Sequence, residues 1–94
     1  MADAPWAGDV VSLVAAYRSG EHHPRAEMEA TLGAVAGSDL NAVCHVDAEA
    51  ALAAADRADV SAPFGGVPLA VKELLSVDGW PATHASVALA DRVA

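Results

Sequence analysis

Hydrophobic and polar positions alternate along this chain with periods that change from segment to segment. Val10, Leu13, Val14 and Tyr17 recur at i, i+3, i+4 and i+7, the stripe of an amphipathic helix. Asp9 stands where its carboxylate can accept a free backbone N–H and cap that helix, and Gly20 ends it. A second helix is predicted to open at Pro24, because first-turn N–H groups have no intrahelical partner to lose. Glu27 and Glu29 lie near the positive end of its dipole. Met28, Leu32 and Val35 are its expected buried face, and Gly37 its stop.

Beyond Gly37 the pattern changes. Residues 42–46 (Ala-Val-Cys-His-Val), β-branched at two positions and bounded by Asn41 and Asp47, predict a strand. Asp47 then caps an alanine-rich helix running to about Asp59, with Ala51, Leu52 and Ala55 on one side. Residues 62–66 form a turn, and 67–75, the most apolar run in the chain, predict a second strand. From Ser76 on, Gly79, Pro81 and Thr83 predict a loop, with a helical turn through Val87, Ala88 and Leu89. Strand, helix, strand is the βαβ unit, which favours a parallel pair joined by a right-handed crossover. Parallel sheets have several strands and both faces covered, so the expected fold is the beginning of a larger α/β protein. Its expected organisation is a helical start over about 9–37, βαβ over about 42–75, and a loop over 76–94.

Composition narrows the function classes. Ninety-four residues make one domain or less. The apolar fraction of 54% is inflated by alanine and aromatics are 4%, so large core side chains are scarce. Five basic residues against thirteen acidic ones give a net charge of −8, with no basic cluster to face phosphates. Neither nucleic acid nor an anionic membrane surface is an expected partner. A single cysteine, Cys44, forms no internal disulfide. The first residues have an acid where a signal peptide has positive charges, and no apolar run approaches the ~20 residues of a membrane span. The expected compartment is the cytoplasm.

Lys72 is the candidate for chemistry. It is the sole lysine and sits within the run Val67-Pro68-Leu69-Ala70-Val71-Lys72-Glu73-Leu74-Leu75. On a strand, Pro68, Ala70 and Lys72 share one face, while Val67, Leu69, Val71 and Glu73 point the other way. Lys72 then lies among small residues with Glu73 turned from it. Loss of solvation favours the uncharged amine, which acts as a base. The plainer reading is a charged residue guarding the end of an aggregation-prone strand.

The segments Leu40-Asn41-Ala42-Val43, the helix over 48–59, Gly66-Val67-Pro68-Leu69-Ala70-Val71-Lys72-Glu73 and Gly79-Trp80-Pro81-Ala82-Thr83 together resemble the N-terminal region of the amidase signature family. Arg18-Ser19-Gly20-Glu21 between the first two helices fits as well, so the resemblance covers nearly the whole chain. It implies a mixed sheet covered by helices, of which this chain carries the N-terminal helices and one βαβ unit. It also implies a Ser–cis-Ser–Lys triad in which Lys72 is the lysine, acting by acyl transfer on a small-molecule amide with no metal or other cofactor. The family's Gly/Ser-rich signature with both serines belongs downstream, so the resemblance implies an N-terminal portion that is inactive alone. Two departures stand out: Glu73 occupies the position of a usual aspartate, and Ala85 that of a glycine in a T-x-x-G-S turn.

Other constellations carry less. Cys44 and His45 are neighbours on an expected strand and point apart, so Cys44 reads as a buried structural thiol. His22, His23 and His84 lack metal-ligand spacing. Ser12, Ser19, Ser38, Ser61, Ser76 and Ser86 lie in no Gly/Ser-rich loop. Two alternatives stay open: the glutamine-hydrolysing subunit of a tRNA-dependent amidotransferase, which shares the triad lysine, and a non-catalytic acidic carrier or interaction module. Gly37-Ser38-Asp39-Leu40 reverses the order of a carrier attachment site, and Val77-Asp78-Gly79-Trp80-Pro81 looks more like the stand-alone amidases.

Overall fold

Each end of the first helix is fixed by a residue whose chemistry suits that end. In a computed structural model of the chain, which describes residues 4–72, 75–84 and 86–94, helix α1 spans Val10–Ser19. The Asp9 carboxylate accepts the Ser12 N–H at 2.8 Å, and that bond holds Asp9 below the usual carboxylate range. Gly20 closes the helix in the left-handed conformation, φ 79°, with its N–H on the Tyr17 carbonyl.

Helix α2 (Pro24–Ala36) opens on Pro24 as expected, and Gly37 stops it in a right-handed conformation. Its buried face differs from the expected one. Glu27 and Ala30 are buried, while Met28, Leu32 and Val35 are half-buried. The helix is rotated because the Glu27 carboxylate faces inward to main-chain and imidazole donors, which an apolar stripe does not report.

Helix α3 (Ala48–Asp56) is capped by Asp47, which accepts the Ala50 N–H at 3.1 Å. It ends three residues before the expected Asp59. There the carboxylate takes both the N–H and the hydroxyl of Ser61, and this local turn competes with helix. Helix α2 packs on α3, with Arg25 bridging to Asp56 at 2.6 Å across exposed surface.

The α/β expectation fails. Among the described residues there is no strand, and neither 42–46 nor 67–71 carries a ladder; positions 73 and 74 of the second expected strand lie outside the described residues. The described fold is helical, with one 3-10 turn at Val87–Leu89 where a helical turn was expected. The physical reason lies in what apolar runs measure. They report a preference for burial, but a ladder needs a second segment whose N–H and C=O groups face the first. A lone parallel pair leaves both faces open to water, and Pro68 has no N–H to give. The β contact that does form is an isolated antiparallel bridge between Pro81 and Val93. It is flanked by Ala82 N–H to Arg92 O and Ala94 N–H to Trp80 O, both 2.9 Å.

The core is small and centred on α1. Leu13, Val14, Ala16 and Tyr17 are buried, joined by Ala30, Ala55 and Ala82. Elsewhere large apolar groups face solvent, Leu69 at 84% and Val87 at 93% exposure among them. The accessible surface is 6732 Å², against about 5,000 Å² for a compact monomer of this mass. The radius of gyration is 14.7 Å, against about 12 Å. Alanine accounts for this: helices lined by Cβ groups bring little apolar area to their contacts.

Candidate functional site

Lys72 is reached through a loop built of successive turns. Ala62 N–H bonds Asp59 O at 3.0 Å, Gly65 N–H bonds Ala62 O at 3.1 Å, and Val67 N–H bonds Phe64 O at 3.1 Å. The last turn of α1 grips this loop. Tyr17 Oη donates to the Gly66 carbonyl at 2.8 Å. Arg18 donates from Nε to Val60 O at 3.0 Å, and from Nη2 to Ser61 O at 3.2 Å and Ala62 O at 3.3 Å. Two glycines make the approach possible. A Cβ on Gly65 overlaps the Asp59 carbonyl, and one on Gly66, at φ 86°, lies 2.6 Å from Pro24 Cγ.

Beyond Gly66 the chain runs out to solvent. Lys72 is exposed, as are Leu69, Ala70 and Val71. The Lys72 carbonyl accepts the Leu75 N–H at 2.9 Å, and no described side chain bonds its side-chain nitrogen. Without a strand, the alternation that set Lys72 on a small-residue face is not realised here, and Glu73 lies outside the described residues. The serines serve local structure. Ser12, Ser19, Ser38 and Ser61 bond within a few residues of themselves or, for Ser12, receive the Trp6 indole N–H. None is brought to Lys72 by a hydrogen bond.

A second cluster, which sequence reasoning missed, surrounds the buried charge. Glu27, 4% exposed, accepts the Trp6 main-chain N–H at 3.2 and 3.1 Å and bonds His22 Nε2 at 2.9 Å. The His22 ring stacks between two aromatics, with centroids 5.6 Å from Trp6 and 6.0 Å from Tyr17. Burial, and behind it the Glu27 charge, pushes the Tyr17 phenol up to about 12. The available signal was Glu27 on the face that also carries Ala30 and Pro24. A carboxylate there must be partnered or it is costly. Every buried side-chain polar atom among the described residues has a partner.

Other expected positions separate. Cys44 is exposed rather than buried, because the expected strand that carries it does not form and so packs into no sheet. His45 instead tilts against Trp80, centroids 5.0 Å apart. His84 sits at φ 50°, while Ala85, where the family's glycine was expected, lies outside the described residues. Among the described residues no group of three or more His, Cys, Asp or Glu side chains is placed to hold a metal ion, and no helix is long and apolar enough to cross a membrane. An open groove of about 510 Å³ between α1 and residues 63–64 does not include Lys72.

Comparison with known proteins places the segment bearing Lys72. The family model described as Amidase matches residues 28–94. The chain belongs to the amidase family. Among curated relatives of this amidase-family chain is a glutamyl-tRNA(Gln) amidotransferase subunit from Ralstonia pickettii (strain 12J), 47% identical over 64 residues, or 62% of this chain and 13% of the relative. The corresponding subunits from Ralstonia nicotianae and Akkermansia muciniphila are 44% identical over 57 residues and 48% identical over 54. These cover 54% and 57% of this chain, and 12% of each relative. The amidase-family chain thus spans about an eighth of the length of the relatives it matches. No solved structure matches it.

Proposed function

We propose that this chain supplies the base of an amide-hydrolysing centre, with Lys72 as that base. The observation that carries the reading is the family match over residues 28–94, which contains the whole Gly66-Val67-Pro68-Leu69-Ala70-Val71-Lys72 segment. In the proposed reaction the neutral Lys72 amine takes a proton from a bridging serine. That serine takes one from a nucleophilic serine, whose oxygen bonds the carboxamide carbon as the carbonyl pair moves onto oxygen. Collapse expels ammonia or an amine, which leaves with the transferred proton, and water then releases the acid from the acyl-enzyme. Main-chain N–H groups of a Gly/Ser-rich segment, which these 94 residues do not contain, hold the oxyanion. The substrate is a small-molecule amide and the compartment the cytoplasm.

A second reading is favoured by the names of the relatives. Glutamine would be the amide and a glutamyl-tRNA the ultimate acceptor of its nitrogen, with the same lysine as base.

The test is a chimera in which these 94 residues replace the matching segment of a full-length family enzyme, assayed for ammonia release from glutamine and from a panel of aliphatic and aromatic amides. Turnover is expected, and Lys72→Ala should lower it to a residual rate about 10²–10⁴-fold smaller, the contribution of a positioned base. Preference for glutamine selects the second reading. Undiminished turnover by Lys72→Ala removes Lys72 from the reaction.

A further inference from the structure

We propose that Tyr17 and Arg18 are positioning residues for Lys72, setting where its segment leaves the loop. The inference rests on the reading of Lys72 as the base. Two adjacent residues of α1 place four hydrogen bonds on four carbonyls, those of Val60, Ser61, Ala62 and Gly66, at separations of 42 to 49 positions. A guanidinium is suited to this because its planar fork addresses several acceptors at once, which a lysine ammonium on a flexible stem does not.

The contact is also tight. Gly66 has φ 86°, and a Cβ there lies 3.1 Å from Tyr17 Cε2. The carbonyl that Tyr17 holds therefore belongs to a residue with little room to shift. From that anchor to Lys72 the chain has six residues, at most about 20 Å. Among the described residues, 68–71 make no backbone hydrogen bond that fixes them independently. The direction in which residues 67–72 depart is thus inherited from the anchored loop. A base displaced by an ångström loses much of its effect, and misplacements of that size cost up to about 100-fold in rate.

A purely structural role is the rival. Arg18 is exposed, and its bonds shape a surface loop whether or not Lys72 reacts. The two roles part in the chimeric enzyme. Tyr17→Phe keeps the buried ring and removes the hydroxyl, and Arg18→Lys keeps the charge and removes the fork. Each should lower kcat about ten-fold, with KM changed by less than about two-fold. In a Lys72→Ala background neither should lower the residual rate further, because residues acting through one group are not additive. Unchanged kcat in both variants, or an equal loss in the Lys72→Ala background, overturns the proposal. Undiminished turnover by Lys72→Ala alone instead removes the reading on which it rests.

One measurement is independent of turnover. Lys72 is the sole lysine, so reductive methylation with an isotope-labelled methyl gives one side-chain signal, distinct from the terminal amine. In the 94-residue chain that signal should shift in Tyr17→Phe and in Arg18→Gln, which removes the fork without adding a second lysine. A signal identical to that of the parent overturns the proposal.

Discussion

The Glu27 carboxylate receives the main-chain N–H of Trp6, 21 positions earlier, on both of its oxygens at 3.2 and 3.1 Å. His22 takes the same Oε1 at 2.9 Å, so one buried side chain ties the start of the chain to the entrance of α2. Glu27→Ala should destabilise the fold by about 1–3 kcal/mol, because a part-buried N–H and an imidazole lose their acceptor. Glu27→Gln keeps one oxygen and should cost less. Urea unfolding of the three proteins checks this; equal midpoints would show that the tie contributes nothing.

Tyr17 is the sole tyrosine, so its phenolate absorbance reports one group. The midpoint should lie near 12 rather than at 10.0, because burial and then the Glu27 charge disfavour the anion. The sign for stability follows. The folded chain holds the proton more tightly than the unfolded one, so this contribution is fully present below pH 10 and is lost as pH rises towards 12. Tyr17→Phe should remove that part of the alkaline transition. An ordinary tyrosine midpoint in the folded chain contradicts the burial of the phenol near the Glu27 charge.

Three glycines with different surroundings should respond differently to alanine. At Gly20, φ 79°, no atom lies within 4 Å of the new Cβ, so the substitution costs the left-handed strain alone, about 1–2 kcal/mol. Gly66→Ala adds a Cβ 2.6 Å from Pro24 Cγ and should cost more. Gly65→Ala meets main-chain atoms of Asp59, which cannot rotate away, and should disrupt the loop outright. Thermal unfolding should give the order Gly20, Gly66, Gly65 from mildest to most severe.

The purified 94-residue chain should release ammonia from amides at background rate. A positioned base contributes about 10²–10⁴-fold, but only with a nucleophile in reach and donors at the oxyanion. Here Lys72 faces solvent and no serine is hydrogen-bonded to it. Turnover by this chain that is lost in Lys72→Ala would place the nucleophile within these residues.

What was legible in the sequence is what depends on neighbours in sequence. Asp9, Pro24, Asp47, Gly20 and Gly37 act within one helical turn, and the helix ends they mark were found. The helix stops at Asp56 rather than Asp59 because the Asp59 carboxylate takes the Ser61 N–H and hydroxyl in a local turn, an alternative to helix that apolar periodicity does not register. The expected strands over 42–46 and 67–75 depended on partners elsewhere, and periodicity carries no word of a partner. The face of α2 was misread for a related reason. Glu27 is buried by Trp6 and His22, polar groups that a count of apolar positions leaves out. Lys72 was marked by its family resemblance, while the grip of Tyr17 and Arg18 on the preceding loop had no local signature.

The Arg18 fork also bears on how this chain tolerates insertions and deletions. Its three acceptors are the carbonyls of consecutive residues, held in register by the Asp59–Ser61 turn at one end and by the Tyr17–Gly66 bond at the other. One residue added within 60–66 puts that register out of step, and both anchors cannot be kept. Residues 38–41 bond to near neighbours, Ser38 N–H to Val35 O and Leu40 N–H to Ser38 Oγ, so a residue gained there is absorbed by solvent-facing chain. Length variation among natural variants of this sequence should therefore collect after α2, and the span from Asp59 to Lys72 should keep a constant count.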